Sequence, residues 1–356
     1  MKIMTICGTR PEIIRLSRII PKLDKICEHI FIYTNQNFDP KLKDIFFTEL
    51  GIREPNYTFT AIGTFGQQVG NMFTNLEQVI EKEKPDKCLI LGDTNSALCC
   101  IVAERLGIPI YHMEAGNRCG EKIAEEINRK IVDNTSTINL PYTDRSRDNL
   151  IKEGFDLKHI FVTGNPIYEV LNYYKLQIDS SNILIDLDLY HKDYILATLH
   201  RSENVDNLER LTNILKSYEI IATEERPIIV SVHPRTRSKI GYITKYNKNV
   251  YLLEPFGLFD FIKLETYTKC LFTDSGTCQE EASILYIPCV VTRRATERPE
   301  TIECGASILG GVQTNTIVNA YEQILKLDTN WELPKEYLDL NVSNKVISIL
   351  MGEINV

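Results

Sequence analysis

No apolar run in this chain approaches the roughly 20 residues that cross a bilayer, so a helical membrane span is not expected. The N-terminus offers only Ile3 to Cys7 before Gly8, far short of the apolar core of a signal peptide. An excess of positive charge is also missing: 40 Lys and Arg against 48 Asp and Glu leave a net charge of −8. A broad nucleic-acid surface needs clustered cations, and this balance argues against one. Local basic spots remain, Arg10 with Arg15 and Arg293 with Arg294, and these would suit a small anion. The ten cysteines form no CxxC and no zinc-finger spacing, and the histidines lack HxH and HxxxH, so no metal site is expected. Cys7, Cys88, Cys270 and Cys289 lie in strand-like runs, where cysteine behaves as a small hydrophobe. The expectation is therefore free thiols in a reducing, cytoplasmic setting. Walker A and GxGxxG are both absent, which weakens triphosphate hydrolysis and NAD binding.

What is present fits two domains of ordinary size: 356 residues, 43% apolar and 25% charged. Four strings stand out: Gly8-Thr9-Arg10-Pro11-Glu12, Gly92-Asp93-Thr94, His112-Met113-Glu114-Ala115-Gly116 and Asp274-Ser275-Gly276-Thr277-Cys278-Gln279-Glu280-Glu281. Each comes after a short apolar run, and in open α/β sheets ligands bind at the carboxyl ends of strands. The strings lie in both halves, which suggests two sheets facing one cleft with a phosphate-bearing ligand.

The pattern along the chain supports alternating strands and helices and hence parallel sheets. In the first half, strands are expected at Ile3–Cys7, Ile30–Thr34, Cys88–Leu91, Ile110–Met113, Thr137–Leu140 and His159–Val162. Helices are expected from Pro11 to about Asp24, from Thr94 or Asn95 to about Leu106, and from Glu125 to Asn134. Thr163-Gly164-Asn165-Pro166 is the candidate hinge, and Leu176–Asp193 reads as loops between domains. In the second half, strands are expected at Tyr194–Leu199, Pro227–Val232, Val250–Leu253, Cys270–Thr273 and Pro288–Val291, with helices at Val205–Ile221, Leu258–Tyr267 and Thr277–Leu285. The division is placed at 1–166 and 167–340, with a last helix within 341–356 packing back toward the N-terminal domain.

Ser275 and Gly276 fall at a strand end where a helix starts, a position that favours anions. Glu281 then suits ribose hydroxyls, although Ser275 could simply cap the helix and Glu281 pair with a surface Arg. Arg10, Arg15 and Arg298 are candidate phosphate ligands beside strand ends, against the plain reading of solvated charges. Asp93 and Glu114 end two strands of one half, a placement that folding does not require. Glu125 either serves catalysis or only favours its helix and pairs with Arg129. His200 ends a strand on the expected ligand face, where it could bind phosphate or donate a proton. His112 is expected to point the same way as Glu114.

Taken together, these strings resemble the non-hydrolysing UDP-N-acetylglucosamine 2-epimerase family from Ile3 to about Gly311. Further landmarks are Glu125-Glu126-Ile127-Asn128-Arg129, Val162-Thr163-Gly164-Asn165, His200-Arg201, His233-Pro234 and Thr296-Glu297-Arg298-Pro299. The resemblance implies an α/β fold of two Rossmann-like, doubly wound domains (GT-B-like), a homodimer and no cofactor. It implies UDP contacts at Arg10, His200, Phe261, Ser275, Gly276, Glu281 and Arg298, and acid–base roles for Asp93, Glu114 and Glu125. The implied chemistry is elimination of UDP, proton exchange at C2 of the sugar, and re-addition. Departures are Arg15 in place of a family lysine, Ala124 in place of a proline, and Thr34-Asn35-Gln36-Asn37 in place of Thr-Gly-Gln-His, a region serving a regulatory UDP-sugar site in some members. Arg10 to Ser17 and Glu114 to Cys119 resemble a branch acting on UDP-2-acetamido-2,6-dideoxy-L-hexoses. That branch gives the expected substrate. The alternatives are UDP-N-acetylglucosamine itself, a glycosyltransferase on the same fold, and a nucleotide-sugar sensor without catalysis.

Overall fold

The computed structural model describes residues 1–36, 40–60, 62–121, 123–241 and 247–353, without the side chains of 40–44. Asn37, in the string linked to regulation, lies outside the described residues. The chain divides into two units, Met1–Asn172 with Glu336–Val356, and Tyr173–Lys335.

The first unit is built on a six-stranded sheet: β1 (Lys2–Cys7), β2 (Glu28–Tyr33), β3 (Tyr57–Thr58), β4 (Lys87–Leu91), β5 (Ile110–Met113) and β6 (Ile138–Leu140). All pairings are parallel and the order is β3-β2-β1-β4-β5-β6. The strands are short apolar runs because helices cover both faces of such a sheet. Met4, Ile6, Ile32, Cys88 and Ile90 pack against Met72, Leu76 and Val132 of flanking helices. The last helix, Val342–Met351, belongs to this unit, where Ser343 donates its backbone N–H to Glu169 at 2.8 Å and Lys87 donates to the carbonyl of Leu350 at 2.7 Å.

The second unit repeats the design with β7 (Ile195–Leu199), β8 (Ile228–Val232), β9 (Val250–Leu253), β10 (Cys270–Thr273), β11 (Cys289–Val291) and β12 (Ser307–Leu309). Its order, β12-β11-β10-β7-β8-β9, is the same path numbered from the other edge, again all parallel. Tyr218 stacks on Phe272 at 5.5 Å in its core. The only tryptophan of the chain, Trp331, donates to the carbonyl of Ser283 at 3.0 Å and stacks on Tyr286 at 5.7 Å. Two six-stranded doubly wound sheets make this an α/β, GT-B-like fold.

Several elements differ from expectation. The first helix is two, Arg10–Leu16 and Ile20–Ile26. Pro21 has no N–H for the Ser17 carbonyl, and its ring opposes a continuous helix there. The segment His159–Val162 forms only an isolated bridge from Ile160 to Asn139, since the neighbouring strand ends at Leu140 and Pro141 cannot donate to a longer ladder. The helix after Thr94 opens as a 3₁₀ turn, Asn95–Cys99, before Cys100–Arg105. The expected helix from Val205 is Ser202–Val205 and then Leu208–Ile221, which Asn207 caps by accepting from the Arg210 N–H. Leu176–Asp193 contains two short helices, Lys175–Asp179 and Ile183–Asp186, tied to helix Leu258–Tyr267 by Ser181 to Asp260 at 2.5 Å. Helix Phe65–Glu83 is not among the expected elements, although Thr64 and Gln67 form a capping box before Met72, Leu76, Val79 and Ile80.

Candidate active site

In each unit the strand order reverses between its first and fourth strands, and a crevice for ligands forms at such switch points. In the first unit these strands are β1 and β4, which lead into Gly8-Thr9-Arg10 and Gly92-Asp93-Thr94. The two loops are fastened by one buried carboxylate. Glu12 accepts from the backbone N–H of Gly8 at 2.5 Å and of Thr9 at 2.9 Å, and from the Thr94 hydroxyl at 2.6 Å. Burial pushes the Glu12 carboxyl up to about 7, against those three hydrogen bonds, and the nearby Asp93 charge adds to the rise.

Asp93 is ion-paired to Arg129, a fully buried guanidinium that also holds Glu126 at 2.7 Å. Asn128 donates to the Asp93 carbonyl at 3.0 Å. Arg129 and Asn128 reach this loop because they lie four and three residues after Glu125 in helix Ala124–Thr135. Glu114 ends β5 with φ of 68°, a left-handed conformation that costs a non-glycine residue about 1–3 kcal/mol. Its carboxylate is ion-paired to buried Arg15, and a Cβ on Gly92 would lie only 3.8 Å from it. Two carboxylates therefore sit at neighbouring strand ends, each on its own arginine. Arg15 is thus placed on Glu114 and over the Tyr142 ring at 5.6 Å. Arg10 begins helix Arg10–Leu16 with its guanidinium over the Phe46 ring at 4.6 Å. Glu125 is half-buried in the first turn of its helix. His112 is wholly buried and donates from Nε2 to the Gly92 carbonyl at 2.9 Å.

In the second unit the switch lies between β7 and β10. The loop after β7 is organised by buried Asp274 at the end of β10. Its carboxylate accepts from the backbone N–H of His200 at 3.1 Å, of Arg201 at 3.0 Å and from Asn204 at 3.2 Å. The His200 ring stays partly exposed, with Nδ1 3.3 Å from Asp274 and the His233 ring 6.2 Å away. Helix Gly276–Ile284 starts here, and Ser275 caps it by accepting from the Cys278 N–H at 3.4 Å. A Cβ at Gly276 would approach the Glu297 carboxylate to 2.8 Å, so any larger residue there displaces that side chain. Glu297 is gripped by Arg201 at 2.8 Å and Arg293 at 2.6 Å, while Arg298 is ion-paired to Glu280. Glu281 is buried, which rules out a solvated surface pair as its role. Phe261 is buried within helix Leu258–Tyr267.

The structure thus groups Asp93, Glu114 and Arg15 in one unit, with Glu125 in the helix that supplies Arg129. It groups Ser275, Gly276, Glu281 and Arg298 in the other. Sequence reasoning passed over Glu12, Asp274 and Glu297 and weighed Arg129 only as a partner of Glu125, although each lay inside a string already singled out. Their roles needed partners many residues away.

Residues 22–351 match the family model described as UDP-N-acetylglucosamine 2-epimerase. Among curated relatives, the UDP-N-acetylglucosamine 2-epimerase of Methanocaldococcus jannaschii is 42% identical over 348 residues, covering 94% of this chain and 95% of its own. A UDP-2,3-diacetamido-2,3-dideoxy-D-glucuronate 2-epimerase of Pseudomonas aeruginosa is 37% identical over 327 residues, covering 90% and 91%. The crystal structure of the M. jannaschii enzyme in complex with UDP-GlcNAc and UDP superposes with a TM-score of 0.93 at 39% identity, covering 98% of this chain and 99% of that one. With a matching family model over nearly its whole length and relatives this similar, the chain belongs to the UDP-N-acetylglucosamine 2-epimerase family.

Proposed function

We propose that this chain, an enzyme of the UDP-amino sugar 2-epimerase family, inverts C2 of a UDP-N-acetylamino sugar by eliminating UDP and adding it back. One observation carries the reading: Asp93 and Glu114 follow the neighbouring strands β4 and β5, beside the switch point, each carboxylate on its own guanidinium. In the forward step the C1–O bond breaks with its electrons leaving on UDP. A carboxylate removes the C2 proton, and a C1–C2 double bond forms. On return, the UDP oxygen bonds to C1 and a proton reaches the other face of C2, so two acid–base groups are needed. Asp93, Glu114 and Glu125 are the candidates. The second unit's helix start at Ser275-Gly276, with Arg298 and His200, suits the diphosphate, and Glu281 suits the ribose. Arg10 and Phe261 complete the set that the family resemblance assigns to UDP, and Arg15 acts in this reading through Glu114.

UDP-N-acetylglucosamine is the first substrate to assay, because the relatives named for it include the one 42% identical to this chain. A 2-acetamido-2,6-dideoxy-L-hexose is the second reading, favoured by Arg15 and by Glu114-Ala115-Gly116-Asn117-Arg118-Cys119. Each UDP-sugar, incubated separately in heavy water, is resolved by NMR. Deuterium at C2 of an epimerised product supports the mechanism, and an unlabelled product sinks it. Release of free sugar marks hydrolysis, and consumption only with an acceptor marks a glycosyltransferase. A homodimer is proposed as well, with sedimentation as its check.

A further inference from the structure

Helix Ala124–Thr135 carries a second buried carboxylate, Asp133, that the proposed chemistry does not use. It lies with His112 inside the first unit, both wholly shielded from solvent. His112 Nδ1 is 3.0 Å from Asp133 Oδ1. On the other side of the ring, Nε2 faces the Gly92 carbonyl at 2.9 Å, and a carbonyl only accepts, so this nitrogen carries a proton. Asp133 accepts in turn from the Gly116 N–H at 3.3 Å, and its other oxygen meets Arg118 at 2.8 Å. Arg118 is anchored to Glu153 at 2.6 Å. The His112 and Arg118 contacts hold the Asp133 carboxyl below its ordinary range even though burial opposes this.

The ends of this chain of contacts are informative. Gly92 directly precedes Asp93, and Gly116 stands two residues after Glu114. Gly92, Glu114 and Gly116 all have left-handed backbones, with φ of 76°, 68° and 78°. For Glu114, which is not a glycine, such a conformation persists only where the surroundings over-determine it. Gly92 is held at both polar groups by β5, its N–H donating to the Met113 carbonyl at 3.0 Å and its carbonyl accepting from His112.

We propose that the His112–Asp133 pair is a positioning device that fixes Asp93 and Glu114 relative to each other, by clamping the Gly92–Asp93 peptide that leads into one and the Ala115–Gly116 peptide just beyond the other. This rests on the epimerase reading above. Misplacing a reacting group by about 1 Å can cost 100-fold in rate, so the pair acts on turnover rather than on substrate binding. Asp133→Asn and His112→Gln are expected to lower kcat at least about 10-fold, with KM and UDP affinity within about twofold. Val132→Ala, a fully buried core change in the same helix, is the control for lost stability. At a matched drop in melting temperature it should keep kcat within about twofold. Arg118→Gln removes the outer anchor of Asp133 without emptying the core and is expected to lower kcat several-fold at unchanged KM. An unchanged kcat in folded Asp133→Asn, or in Arg118→Gln should the buried variants not fold, overturns the proposal. An equal kcat loss in Val132→Ala overturns it too. Wild-type enzyme without C2 exchange would instead sink the epimerase reading itself.

Discussion

The two units share one strand path, yet their switch points carry opposite chemistry. In the first, each strand-end carboxylate is matched by a buried arginine, Glu114 by Arg15 and Asp93 by Arg129. In the second, the carboxylate is the hidden partner. Asp274 is fully buried and uses its oxygens on backbone N–H groups of the loop after β7, and Glu297 restrains Arg201 and Arg293. One topology thus carries arginine-paired carboxylates in one unit and a loop-binding carboxylate in the other; in the proposed function the first set transfers protons and the second unit holds the diphosphate. The difference resides in a few loop residues, and the sheets themselves are interchangeable in plan.

That division of labour can be broken experimentally. The largest effect is expected from Asp93→Asn and Glu114→Gln. Each should lower kcat at least about 100-fold, the lower end for general acid–base groups, while calorimetric UDP affinity stays near wild type. Weaker UDP binding with normal turnover in these variants would erase the contrast. Asp274→Asn should do the reverse, weakening UDP at least about 10-fold by releasing the His200-Arg201 loop, since a buried charge-assisted network is lost. Gly276→Ala forces Glu297 aside and is expected to raise KM several-fold with a smaller change in kcat.

The smallest expected effect concerns stability against pH. The Glu12 carboxyl is raised to about 7 in the fold, from an ordinary value of 4.5. Between those values the folded chain binds more protons than the unfolded one, so this group makes stability fall as pH rises from 4.5 to 7. Glu12→Gln should remove that component, up to about 1.4 kcal/mol per pH unit, in denaturant titrations across the window. An identical slope in the variant would show that the carboxyl titrates normally.

Much of this arrangement was legible in the sequence, for a physical reason. A parallel strand buried on both faces is a short apolar run, and the chain just past its end, at Gly8, Gly92 and Ser275, must turn and expose polar groups. Val250–Leu253, Leu258–Tyr267 and Cys270–Thr273 fall where the pattern puts them. The pairings were not legible. Arg15 and Glu114 are 99 residues apart, and nothing local signals that an arginine read as a phosphate ligand will face a carboxylate. The left-handed backbone of Glu114 was equally hidden, because the sequence marks such positions only when glycine occupies them.

Trp331 gives the second unit a property that the first lacks. Its indole is fastened to the final turn of the helix whose opening turn is Ser275-Gly276, and no other indole exists in the chain. Intrinsic fluorescence excited at the indole band therefore reports on one half of the molecule alone. Melting or nucleotide titration monitored by that emission, set beside a whole-chain signal such as circular dichroism, separates the two halves without any label.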